Sequence, residues 1–143
     1  MSQPELVPWI LGTLGTLAGV FAGFGLSKLD EWRRARARRK RMIKSLIVEL
    51  AKIHNYLSGL KVEKAREEAY VAIRDRPLPT EVYDSLKAEI IGEINENTLI
   101  KLQQCYLEIG KINRARSYMF EETLISDVNR LITQVISELK REL

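Results

Sequence analysis

The sequence predicts an all-α protein: a single N-terminal transmembrane helix followed by a cytoplasmic antiparallel helical bundle or coiled coil. Three observations predict it. Residues 6–27 carry no charged side chain. A dense basic cluster follows, with eight of the 23 Lys and Arg inside residues 33–44. Beyond it, apolar residues recur at alternating spacings of three and four, the signature of helices that pack along a seam.

A span is expected at 6–29, preceded by a short extracytoplasmic tail at 1–5. The uncharged run LVPWILGTLGTLAGVFAGFGLS has 22 residues. At about 1.5 Å each it reaches roughly 33 Å, enough for a bilayer core. Pro8 falls in the first turn, where its missing N–H costs little. Trp9 and Trp32 bracket the run as interfacial aromatics do. A cleaved signal peptide fits less well, because the tail has Glu5 as its only charged side chain and dense Arg follows the run. Gly12, Gly15, Gly19 and Gly23 lie on one helix face. Small residues in that pattern let another helix approach closely.

The basic juxtamembrane helix at 30–44 comes next. Arg33, Arg34, Arg36, Arg38, Arg39, Lys40, Arg41 and Lys44 all follow the span. Lys and Arg near a span stay on the cytoplasmic side, which puts the N-terminus outside the cell membrane and the C-terminal body inside. The remainder, 45–143, has 14 basic and 16 acidic residues, so the formal +4 belongs to this one cluster. Anionic lipid headgroups are the partner such a cluster meets first, at about 1 kcal/mol per basic residue. The basic residues surround the helix without a single reading face, which makes nucleic acid an unlikely partner.

The helical bundle occupies 45–143. Ile43, Leu46, Leu50, Ile53, Leu57 and Leu60 form the first seam, and the apolar pattern drifts on to Ile73, so one long helix is expected to about residue 74. Ser58-Gly59 allows a bend within it. RPLPT at 76–80 is a loop, since its two prolines cannot continue a helix. Thr80 is the expected N-cap of a short helix at 81–89, with Glu81 in its first turn. Gly92 interrupts it, and Ile90, Ile91 and Ile94 are expected to plug the bundle. Leu99, Leu102, Tyr106, Ile109 and Asn113 mark a third seam. Ile125, Val128, Ile132, Val135 and Leu139 mark a fourth. No Gly or Pro separates the last two, which leaves one long helix or a hairpin turning near 117–122. No stretch alternates like a strand.

Three segments, LIVELAKIHNYL at 46–57, LPTEVYDSL at 78–86 and LIKLQQCYLEIGKIN at 99–113, follow the apolar run and its Arg-rich juncture. Together they resemble a loose group of small prokaryotic single-pass membrane-anchored helical proteins of uncharacterised function. The resemblance implies the architecture and the anchor, and carries over no catalytic residue.

Candidate chemistry is sparse. One Cys and one His exclude a disulfide framework, a zinc finger and a His-rich metal site. His54 flanks the first seam with no identifiable acidic partner, and reads as a hydrogen-bonded flank residue rather than a pH sensor. Cys105 has no activating base beside it and reads as a small buried thiol. Asn113, polar in a seam, fixes register or bonds a backbone carbonyl. There is no phosphate-binding loop, HExxH or EF-hand loop. No catalytic residue, metal or cofactor is expected, and the chain does not read as an enzyme. The expected role is a membrane-anchored helical scaffold that self-assembles as a homo-oligomer or docks to another membrane protein. An oligomeric pore is the alternative, and a membrane-tethered nucleic-acid binder acting through the Arg-rich juncture a second one.

Overall fold

Ser58 and Gly59 stop the longest helix where the sequence pattern alone would have carried it on. In a computed structural model, the structure describes residues 6–65, 68–74 and 77–143, and their side chains except at 6–11, 64, 65 and 68. Helix α1 runs over Leu6–Ser58. The Gly59 N–H donates to the carbonyls of Asn55 and Tyr56, both at 3.1 Å, and closes the last turn. The chain then reverses in a hairpin of β1 (Val62–Ala65) and β2 (Glu68–Ala72), with Val62 opposite Val71.

Helices α2 (Glu81–Ile90) and α3 (Glu96–Arg114) follow. Between them Gly92 has φ +85°, a conformation L side chains rarely adopt. Asn95 caps α3, its side chain accepting from the Asn97 N–H at 3.0 Å. Strand β3 (Met119–Glu121) leads directly into α4 (Glu122–Arg141). The sheet order is β1-β2-β3, antiparallel throughout, with Val71 opposite Phe120.

The chain divides into two units, Met1–Arg38 and Arg39–Leu143. The core belongs to the second. Ile43, Leu46, Leu50, Ile53 and Leu57 of the first seam are buried, and Leu60 is partly buried. Leu102, Tyr106 and Ile109 of α3 are buried, while Leu99 is partly so. All of Ile125, Val128, Ile132, Val135 and Leu139 on α4 are buried. Val71, Ile73 and Phe120 bring the sheet into the same cluster.

Several expectations need correction. The body is not all-α, because Val62–Ala65 and Glu68–Ala72 are paired strands rather than helix and Met119–Glu121 adds a third strand. The run Val71-Ala72-Ile73 is the reason: alternate residues Val71 and Ile73 are buried, the two-residue period of a strand. The helical spacing of the same stretch runs instead through Val62, Ala65, Ala69 and Ile73. Of the two outcomes left open for the last two seams, the break holds: α3 ends at Arg114, Ala115 is already extended at φ −62° and ψ 140°, and β3 intervenes before α4. Ile91 is 65% exposed and plugs nothing.

The membrane reading is also corrected. Among the described residues, no helix is long and apolar enough to cross a membrane. The expected tail at 1–5 and the side chains of 6–11, Pro8 and Trp9 included, lie outside the described residues. The uncharged run at 6–27 is diluted by Gly12, Gly15, Gly19, Gly23 and Gly25 and by Thr13, Thr16 and Ser27, and Lys28 ends it. The transmembrane helix, the single-pass cell-membrane location and the orientation with N-terminus outside and body inside are therefore not supported.

Candidate functional site

Two regions concentrate the polar and apolar features that the core does not use. The first is a buried polar node in the second unit, centred on Glu49. Helix α1 carries Glu49 at the flank of its seam, beside Leu50, and leaves it 3% exposed. Its Oε2 accepts from the Val82 N–H at 2.8 Å. The other oxygen, Oε1, accepts from the Tyr83 N–H at 3.2 Å and from the Tyr106 hydroxyl at 2.6 Å. A helix begins with backbone N–H groups that have no intrahelical partner, and the positive end of its dipole favours an anion there. Glu49 therefore caps α2 from another element. Thr80, the expected cap, makes no side-chain cap bond and instead donates to the Asp84 carboxylate at 3.0 Å.

The rings of Tyr83 and Tyr106 stack at 4.0 Å between centroids and 6° between planes. Burial, followed by the hydrogen bond to Glu49, raises the Tyr106 hydroxyl above its usual range. Burial and then the Asp84 charge raise that of Tyr83. Burial pushes the Cys105 thiol up to about 12. These groups keep their protons at neutral pH, so none is poised as a base or an anionic nucleophile. What the node can do is hold α1, α2 and α3 together. Beside it, Tyr83, Gln103, Leu107, Gly110 and Arg114 line an open groove of about 490 Å³.

Asn113, half-buried at the end of its seam, binds the 77–80 loop. Its Oδ1 accepts from the Leu78 N–H at 2.7 Å, and its Nδ2 donates to the Leu78 carbonyl at 3.0 Å. His54 is half-buried, with Nδ1 3.4 Å from the Thr133 hydroxyl. Among the described residues no group of His, Cys, Asp and Glu could hold a metal ion.

The second region lies in the first unit. Gly12, Gly15, Gly19 and Gly23 are exposed, and a Cβ at any of them would meet nothing within 4 Å. Leu14, Leu17, Phe21 and Phe24 are 57%, 54%, 74% and 65% exposed. At about 100° per residue these four side chains fall within an arc of roughly 80°, and the four glycines occupy the opposite side. Lys28 continues the Leu/Phe line, its Nζ 5.8 Å from the centre of the Phe24 ring. Arg36 lies 5.4 Å from the centre of the Trp32 ring. Cation–aromatic contacts at such exposed sites contribute about 0.5–1 kcal/mol.

The basic cluster does not act as one patch. Arg33, Arg34, Arg36, Arg38, Lys40, Arg41 and Lys44 are exposed, with Arg34 2.7 Å from the Asp30 carboxylate. Arg39 is different. It is half-buried, it donates to the Glu93 carbonyl, and it pairs with Glu142 at 2.5 Å. Glu142 also accepts from the Asn95 N–H at 2.9 Å, so Arg39 and the C-terminal residues tie the α2–α3 turn to α1. Sequence reasoning missed Glu49 and Glu142. Their partners are 33 to 103 residues away, and no local spacing marks either carboxylate.

No protein family matches the chain, and neither a curated protein nor a solved structure matches it. Function is therefore read from the residues themselves.

Proposed function

We propose that this is a helical interaction protein that assembles with itself through the N-terminal part of α1. The carrying observation is the line of Leu14, Leu17, Phe21 and Phe24, all more than half exposed. Large contiguous apolar surface of this kind marks an interaction site. The helix itself argues for a cover. Gly12, Gly15, Gly19, Gly23 and Gly25 each weaken an exposed helix by about 1 kcal/mol relative to Ala, and a Cβ at any of them would meet nothing within 4 Å. A second copy supplies the same stripe, and eight such side chains bury on the order of 800 Å². That area is below the roughly 1,200 Å² at which stable specific interfaces begin, which suits weak, reversible, concentration-dependent association.

The test is the mass of the full chain by light scattering in detergent-free buffer, over a hundredfold range of concentration. Mass rising to a discrete oligomer in the wild type, and staying monomeric in Leu17→Glu/Phe21→Glu, is the expected result. A monomer at every concentration overturns the reading. So does an unchanged oligomer in the double variant. Sedimentation of monomeric protein with lipid vesicles also overturns it, since a lipid surface would then be the cover.

A further inference from the structure

We infer that two copies pair antiparallel along the Leu14–Phe24 line, with Leu14 of one copy opposite Phe24 of the other and Leu17 opposite Phe21. This rests on the self-assembly proposed above and adds the partner's orientation. Two independent features of the chain carry it.

The first is layer volume. The spacing 14, 17, 21, 24 alternates three, four, three, which assigns Leu14 and Phe21 to one heptad position and Leu17 and Phe24 to the other. A parallel pair stacks like on like, giving two Leu–Leu layers followed by two Phe–Phe layers. Such a seam is narrow at one end and wide at the other. An antiparallel pair matches each heptad position with the other one. Every layer then contains one Leu and one Phe, so four layers of equal width keep the helices evenly spaced. Facing large against small is the arrangement that fills a helix interface without voids.

The second is charge. Between residues 28 and 41 the chain carries eight basic and two acidic side chains. Lys28 stands on the stripe itself, next to Phe24. A parallel pair sets Lys28 against Lys28 and brings the two Arg runs to an interhelical distance of roughly 8–10 Å. That is about one Debye length at physiological salt, so the repulsion is felt. An antiparallel pair crosses at residue 19. Arg33 is then 14 residues from the crossing point in each copy, and the two Arg33 positions lie about 40 Å apart along the helices. At that separation the repulsion is screened away.

Disulfide trapping tests this in the full chain. Cys105→Ser leaves no native thiol, and Leu14→Cys and Phe24→Cys are added singly and together. In the antiparallel pair, two Leu14→Cys thiols are roughly 15 Å apart along the axis, beyond the Cα separation of about 4–7 Å that a disulfide spans. The expected result is covalent dimer from the double variant, and from a mixture of the two single variants, with none from either single variant alone. Dimer formed by each single variant alone means parallel pairing and overturns the inference while self-assembly stands. No covalent dimer from any variant, with an oligomeric mass by light scattering, assigns assembly to another face and also overturns it. A monomeric mass in the Cys105→Ser parent marks failure of the underlying self-assembly. Salt is a second readout. Antiparallel association changes less than about threefold between 50 mM and 500 mM NaCl, whereas tenfold or more tightening by salt refutes the charge argument.

Discussion

Replacing Glu49 with alanine removes a buried carboxylate that holds α1, α2 and α3 together, and its cost can be worked from the contacts. The substitution strands the Val82 and Tyr83 N–H groups and the Tyr106 hydroxyl at once. Each orphaned buried donor costs roughly 1–3 kcal/mol. Val82 and Tyr83 are only half-buried, so water partly restores their bonds, and the lower figure applies to them. A total of about 3–4 kcal/mol follows. For a unit of about a hundred residues, roughly 4 °C per kcal/mol translates this into a Tm lower by about 12–16 °C. Two companions separate the contributions. Tyr106→Phe keeps the ring stack and loses only its bond to the carboxylate, at about 1–2 kcal/mol. Glu49→Gln keeps one acceptor oxygen and falls between the wild type and Glu49→Ala. Urea unfolding followed by far-UV circular dichroism measures each value. The Glu49→Ala/Tyr106→Phe cycle should return a coupling of about 1 kcal/mol or more. A Glu49→Ala loss below 1 kcal/mol, or a coupling of zero, refutes the capping role.

Other expectations are more local. Asn113→Ala removes both bonds to Leu78 and should cost about 1–2 kcal/mol, with the Leu78 amide losing its protection from hydrogen exchange; retained protection would contradict the assignment. Cys105 should resist iodoacetamide at pH 8 in the native protein and react on unfolding. Its folded pKa lies above the unfolded value near 9, so its contribution to stability is complete below pH 9 and is lost as pH rises toward 12. Cys105→Ala should flatten that alkaline limb, and an unaltered limb would exclude the thiol as its source. The hydrogen bond from Lys101 holds the Glu138 carboxyl below its usual value. That contribution is present above the unfolded carboxylate range near pH 4.5 and disappears as pH falls through the folded pKa. Unfolding midpoints for Lys101→Met should accordingly lose part of their acid dependence, and curves parallel to the wild type from pH 3 to 6 would rule the pair out.

Periodicity by itself determined most of the second unit's helical core. The seams at 43–57 and 125–139 are buried residue for residue, because a 3,4 apolar spacing presents one face of a helix whatever that face packs against. Composition likewise left little chemistry to find, with one His and one Cys in the chain. Tertiary structure decided the rest. Short apolar segments such as 69–73 match a helical and a strand period equally well, and pairing with Phe120 across nearly fifty residues selects the strand. The uncharged run at the N-terminus suggested a span, yet among the described residues no helix is long and apolar enough to cross a membrane. Thr80 looked like the cap of α2, yet the cap is Glu49 from α1. A buried N–H takes the best acceptor within reach in space, and distance along the chain does not report that reach.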